Sequence, residues 1–289
     1  MMEISKNEFK ALVSLLDDED AEVNRHVEEK IMSLGSEIIP YLEEQWESSF
    51  DPSIQRKLED MIHILQFSQL KERLSRWKEN GATDLLEGMW IISTYQYPDT
   101  ELEELSQQIE QIYYDIWIEL KPDLHPYDQI KMINSALFSK LKFRANTKNF
   151  HSPNNSLLKA VLESKKGNPI SLSVLYILVA ERLGLPIKGV NLPNLFIITY
   201  KTEDIQFYIN AFNRGLIFSR KDIDNYVANL NLTPKESFYQ PCSNEDIIKR
   251  VLRNLIVAYE KLDEHQKSEE VKELLVLISG GIDFDALGL

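Results

Sequence analysis

Few side chains in this sequence are equipped for covalent chemistry. Cys242 is the only cysteine, and the histidines are His26, His63, His125, His151 and His265. A nucleophile needs a base within hydrogen-bond reach. Cys242 stands just before a helix, where a thiolate is favoured, yet it reads as incidental. Ser171 and Ser173 lie near the start of an apolar helix, and no histidine is close to them in sequence. His151, in an upstream polar loop, is the imidazole that can approach that helix. A Ser171–His151 pair is therefore weighed against a plainer role, in which both serines cap the helix or bond backbone carbonyls. Metal chemistry is no better provided for. No two histidines are spaced i, i+4, and one cysteine cannot build a structural zinc site. The acidic run Asp17-Asp18-Glu19-Asp20 lacks the glycine and spacing of a calcium loop. Gly167 stands alone, outside any GxGxxG or Walker-type loop. No metal and no cofactor is expected.

The residues that must position any site lie in Lys166–Tyr200. Gly167-Asn168-Pro169 breaks the chain and places Pro169 in the first turn of a helix, where a missing N–H costs nothing. Ile170, Leu172, Val174, Leu175, Ile177, Leu178, Val179 and Leu183 make that helix apolar on most sides, as a core helix is. Gly184 suits its C-terminal cap and Pro186 stops it. Val190 to Tyr200 is rich in β-branched and aromatic residues and reads as one strand. The polar segment Asn146–Asn155, with His151, is the kind of loop that lies beside a site.

Charge is unevenly spread along the chain. Residues 1–120 carry 27 acids and 10 bases, while residues 121–289 carry 19 acids and 22 bases. The acidic half argues against binding a phosphate backbone, so no nucleic acid is expected as partner. Nucleic-acid regulation would need a contiguous basic surface on the second half. The small basic islands Lys165-Lys166 and Arg250–Arg253 read as exposed helix charge, with docking of an acidic partner as the sharper alternative. No stretch approaches the roughly 18 apolar residues of a membrane span. The start MMEISKNEFK lacks a basic region followed by an apolar run, and a lone cysteine fits a reducing compartment. A cytoplasmic location is expected.

Around the central stretch the chain reads as helices. Helical spacing is visible in Phe9–Leu16, in Val23–Leu34, from Ile38 through Trp46, and from Pro52 to Leu65. Further stripes run through Leu70–Trp77, Leu85–Ile92, Leu102–Leu120 and Ile130–Leu141, with a short helix at Ser156–Leu162. Ile205–Ile209 alternates, Asn213-Arg214-Gly215 turns and Leu216–Phe218 returns, a hairpin signal. Ile223–Leu230 is helical. Ser243 with Asp246 resembles a capping box before a helical hairpin that turns at Glu264-His265-Gln266.

Two helical words carry repeat resemblances. LLDDEDAEVNRHVEEKIMSLGSEIIPYLEEQW resembles a HEAT-type unit, and the C-terminal hairpin resembles one tetratricopeptide unit. The words SPNNSLLKAVLESKKGNPISLSVLYILVAERLGLPIKGVNLPNLFIITY and IIKRVLRNL, in this order, resemble the SirB-type transglutaminase-like family over roughly residues 85–275. That resemblance implies an α+β, predominantly helical fold. Its parts would be a HEAT-like segment (1–66), a transglutaminase-like, papain-like core with a small antiparallel sheet (67–235) and a tetratricopeptide-like hairpin (236–289).

The resemblance also implies where a Cys-His-Asp triad would sit. Counting back from Leu-Gly-Leu-Pro, the cysteine position falls on Pro169. The family's histidine follows Pro-Gly and precedes Phe; here Pro193-Asn194-Leu195-Phe196 puts Leu195 there. The family's Asp-Pro-Phe is Asn210-Ala211-Phe212, so Asn210 holds the third position. Proline has no nucleophile, leucine accepts no proton, and asparagine has no charge to stabilise an imidazolium. The expectation is a pseudoenzyme: a protein-interaction or regulatory scaffold whose cleft, with Asn168, Ser171, Asn194 and His151 as candidate binding residues, holds a protein or peptide partner. The alternative is a cryptic hydrolase or transamidase using a non-standard nucleophile.

Overall fold

The computed structural model describes residues 6–18, 20–121 and 124–281. The first five residues, Glu19 of the acidic run, and the tail beyond Gly281 lie outside them. The chain divides into two compact units, 1–73 and 74–289.

The first unit follows the helical spacing of its apolar residues. Helices α1 (Lys6–Ser14), α2 (Ala21–Met32), α3 (Ile39–Ser48) and the start of α4 (Pro52–Glu79) bury Phe9, Val13, Leu16, Val27, Ile31, Leu42, Leu58 and Leu65 in one core. Asp20 caps α2 by accepting the Glu22 N–H at 2.9 Å, which satisfies one orphan donor and places a negative charge at the positive helix end. The helical spacing that opens at Pro52 is followed in sequence only to Leu65. The helix instead continues to Glu79, because neither Gly nor Pro interrupts residues 53–79.

The second unit is built around α9 (Pro169–Arg182). All eleven residues from Ile170 to Ala180 are buried, so the helix is covered on every side, as its all-round apolar pattern requires. Helices α5 (Leu85–Ser93), α6 (Leu102–Trp117), α7 (Pro126–Asn134) and α8 (Leu158–Ser164) precede it. A tight anchor links α7 and α9 to the turn at Gly215. Asn134 accepts the Tyr176 O–H at 3.1 Å and donates to the Gly215 carbonyl at 2.9 Å. A Cβ at Gly215 would lie 2.0 Å from Asn134 Oδ1, and its φ is +76°, so only glycine fits.

Beyond α9 comes a four-stranded antiparallel meander: β3 (Ile187–Leu192), β4 (Leu195–Lys201), β5 (Gln206–Asn210) and β6 (Leu216–Phe218). The single strand expected over Val190–Tyr200 is thus the meeting of two. Pro193-Asn194 forms a two-residue turn in which Leu192 faces Leu195, and Asn194 takes φ +56°. Asparagine tolerates that left-handed conformation, and proline supplies the fixed φ before it. Both strands are buried on both faces, which hides the break from an alternation test. A short parallel pair, β1 (Arg144–Ala145) with β2 (Lys166–Gly167), was not legible in so few residues.

The sheet has two occupied faces. Val190, Leu192, Ile197 and Tyr208 point to one, where Ile223 and Val227 of α10 (Arg220–Asn229) close a separate core. Phe196 lies on the other face, next to Gly189, Cys242 and Ile247. The last described elements are a helical pair, α11 (Asn244–Lys261) and α12 (His265–Ser279). The Ser243–Asp246 capping box is closed in both directions at 3.1 Å. The turn falls at Leu262–Glu264, and His265, expected inside the turn, opens α12.

Candidate functional site

At the head of α9, Asn168 is the N-cap. Its Oδ1 accepts the Ser171 N–H at 3.0 Å, and its own N–H donates to Ser171 Oγ at 3.0 Å. The cap is tied outward, since Asn168 Nδ2 donates to Ser156 Oγ at 2.8 Å. Pro169 follows at the first helical position, where no donor is needed. Ser173 Oγ donates to the Pro169 carbonyl at 2.8 Å.

Beside this helix start lies a cavity of about 300 Å³. One wall is the loop Phe150–Ser152 with Ser156. Asn155, nearly fully buried, shapes that loop by donating to the carbonyls of Asn149 at 2.6 Å and Phe150 at 2.9 Å while accepting from Asn146 at 2.8 Å. A second wall is Asn168, Pro169 and Ile170. Asn194 and Phe196 of the β3–β4 hairpin form a third. Tyr226 steadies the hairpin by donating to the Pro193 carbonyl at 2.8 Å. The fourth wall is one face of α11, bearing Arg250, Asn254, Val257 and Ala258 at helical spacing.

Of the residues expected at the site from sequence, Asn168, Pro169, Asn194 and His151 line this cavity. Three do not. Ser171 is fully buried, with its hydroxyl committed to the cap. Leu195 packs against the core of Val190, Leu192, Ile197 and Ile223, on the sheet face covered by α10. Asn210 is buried at the end of β5, where its side chain accepts the Asn213 N–H at 3.2 Å. Among the described residues no hydroxyl or thiol is hydrogen-bonded to the His151 ring, which makes an edge contact with Phe150 at 5.3 Å. Cys242 lies outside the cavity, its N–H donating to the Gly189 carbonyl at 2.8 Å. Burial, and then Asp246, pushes its thiol up to about 12, away from nucleophilic use. No group of His, Cys, Asp or Glu among the described residues is arranged to hold a metal ion.

Arg250, Asn254 and Phe196 are cavity residues that the sequence reading missed. Arg250 and Arg253 are both half-buried rather than exposed helix charge, and Arg253 Nε has no partner. Burial, and then the neighbouring Arg253, pulls the Arg250 guanidinium below its ordinary value. The available signal was that Arg250 and Asn254 stand one turn apart on the stripe that also carries Val257 and Ala258. A polar pair on a helix looks like a solvated face until its neighbours are known.

Known proteins are similar to part of this chain. A UPF0162 protein of Xylella fastidiosa is 29% identical over 198 residues, which are 62% of this chain and 66% of that protein. The UPF0162 protein YchA of Escherichia coli is 25% identical over 180 residues, again 62% and 66%. Mouse F-box only protein 21 is 31% identical over 132 residues, which are 43% of this chain and 21% of that protein. The chain spans less than two thirds of the length of these curated relatives. No solved structure matches it. Residues 103–253 match the family described as the transglutaminase-like superfamily, a segment that runs from α6 through α9 and the four-stranded sheet into α11. The chain belongs to the transglutaminase-like superfamily.

Proposed function

We propose that this protein is a non-catalytic, SirB-type member of its superfamily, a protein-interaction or regulatory module whose cavity takes a peptide segment of a partner. The observation that carries the reading is Pro169. The superfamily resemblance puts a cysteine nucleophile at the head of this helix, and a proline there has neither thiol nor N–H. The hydroxyls one turn on are committed, Ser171 to the cap and Ser173 to a helix carbonyl. Three further features support docking. The cavity mixes apolar walls from Phe150, Phe196 and Val257 with the amides of Asn194 and Asn254, the mixture that peptide backbones need. HEAT-like and tetratricopeptide-like helices, the repeat types proposed for the two ends of the chain, bind proteins on their surfaces. The 132 residues matched in F-box only protein 21 are 21% of that protein, a use of such a stretch as one part of a longer chain. A cytoplasmic setting belongs to the same reading, since the lone Cys242 can form no internal disulfide.

The rival reading, a hydrolase or transamidase with a non-standard nucleophile, draws on His151, Ser152 and Ser156, which line the same cavity. Two measurements separate the readings. Affinity capture from the native cell is expected to recover a protein partner that is lost when Asn194→Arg fills the cavity. Fluorophosphonate labelling and amine-incorporation assays are expected to give no modified residue and no turnover. Covalent labelling of Ser152 or Ser156 overturns the proposal in favour of the enzyme.

A further inference from the structure

Arg250 lines the cavity, yet among the described residues its guanidinium makes no ion pair and no hydrogen bond. Its neighbour on α11 is treated differently: Lys249 pairs with Glu245 at 2.5 Å. A half-buried cation without a partner is costly unless something else satisfies its five donors. No Asp or Glu lines the cavity, although the chain holds 46 acids and a net charge of −14. Besides burial, the groups that bear on its titration are Arg253, of the same sign, and then the phenol of Tyr226, and neither is a carboxylate. Asn194 and Asn254 also have unspent side-chain amides. The cavity therefore presents one planar cationic fork and free amides, with no built-in counter-ion.

We propose that the cavity recognises a carboxylate carried by the docked peptide, bound by the Arg250 fork with Asn254 beside it. This deepens the peptide-docking reading and rests on it. A guanidinium matches the two oxygens of a carboxylate in a bidentate pair. A single fork balances a single negative charge, whereas a phosphate dianion calls for a second exposed cation, and Arg253 turns a buried Nε toward the protein. A volume of about 300 Å³ admits one or two residues, so the carboxylate belongs either to a chain end or to an acidic side chain near it.

The test uses the full chain, ¹⁵N-labelled, with Arg and Asn side-chain signals followed by NMR. The probes are acetyl-Ala-Phe, its C-terminal amide, acetyl-Glu-Phe amide and inorganic phosphate. Acetyl-Ala-Phe is expected to shift Arg250 and Asn254 saturably, with affinity about tenfold weaker for the amide and for Arg250→Gln. Recovery of affinity by acetyl-Glu-Phe amide assigns the carboxylate to a side chain, and failure to recover assigns it to a chain end; both support the proposal. If Arg250→Gln does not fold by circular dichroism, Asn254→Asp replaces it, and that variant is expected to repel the acid while sparing the amide. Equal binding of acid and amide, unchanged binding by the folded variant, phosphate bound more tightly than either acid, or no saturable shift with any probe overturns the carboxylate assignment. Equal binding of acid and amide leaves peptide docking standing, whereas cleavage of a probe overturns docking itself.

Discussion

Asn168 and Ser171 satisfy each other across the first turn of α9, each side chain accepting the other's backbone N–H at 3.0 Å. A capping box uses polar side chains to close orphan donors, so both groups are spent on structure. Asn168 also holds Ser156 at 2.8 Å, which joins the helix start to the loop that walls the cavity. The same pair fixes the helix and withdraws a hydroxyl from chemistry.

That reciprocity has a measurable energy. Asn168→Ala removes the cap and the Ser156 bond and is expected to cost about 2 kcal/mol, with Ser171→Ala at about 1 kcal/mol. Because the two share one interaction, the double variant should lose about 0.5–1 kcal/mol less than the sum. Urea unfolding followed by tryptophan fluorescence provides the three values. Strict additivity would show that the two residues do not act as a unit.

Asn155 governs the opposite wall. It is 3% exposed and makes three part-buried hydrogen bonds within residues 146–155, so Asn155→Ala leaves two carbonyls and one amide short of partners. A loss of about 2–3 kcal/mol is expected. Hydrogen–deuterium exchange should rise locally, at Asn146–Ser152, well before it rises in α9. Exchange unchanged in that loop would mean that something other than Asn155 holds His151 and Phe150 in place.

How far the fold was legible depended on how local its causes are. The Ser243–Asp246 box, the Pro169 helix start and the burial of α9 follow from residues within a few positions of one another, and each appears in the structure. The cavity does not have local causes. Its walls come from Phe150–Ser156, Asn168–Ile170, Asn194–Phe196 and Arg250–Ala258, and only the tertiary fold brings these together. Leu195 shows the limit most sharply. Its position in the motif was plain, but which sheet face receives it turns on strand parity, set by the Leu192–Leu195 register of a turn that had not been recognised. Arg250 was seen and misjudged, because the neighbours that bury it lie on other elements.

Cys242 gives the chain a titration that can be isolated. Burial, and then Asp246, raises its thiol from 9.0 to about 12 in the folded protein. Between those values the unfolded chain has lost the proton and the folded chain keeps it. The folded state therefore binds more protons there, and stability falls as pH rises from about 9 to about 12. Below that window the thiol is neutral in both states and contributes no slope. The wild type should lose up to about 1.4 kcal/mol per pH unit more than Cys242→Ala within the window, and the two should run parallel at neutral pH. Tyrosines that titrate in the same range are common to both proteins and cancel in the difference. The reactivity follows from the same shift: at pH 8 an aromatic disulfide reagent should modify Cys242 about a thousandfold more slowly than a free thiol, since so little of it is thiolate. Modification within minutes in the folded protein, or parallel stability curves throughout, would show that the thiol is not buried beside Gly189 as the hydrogen bond from its backbone places it.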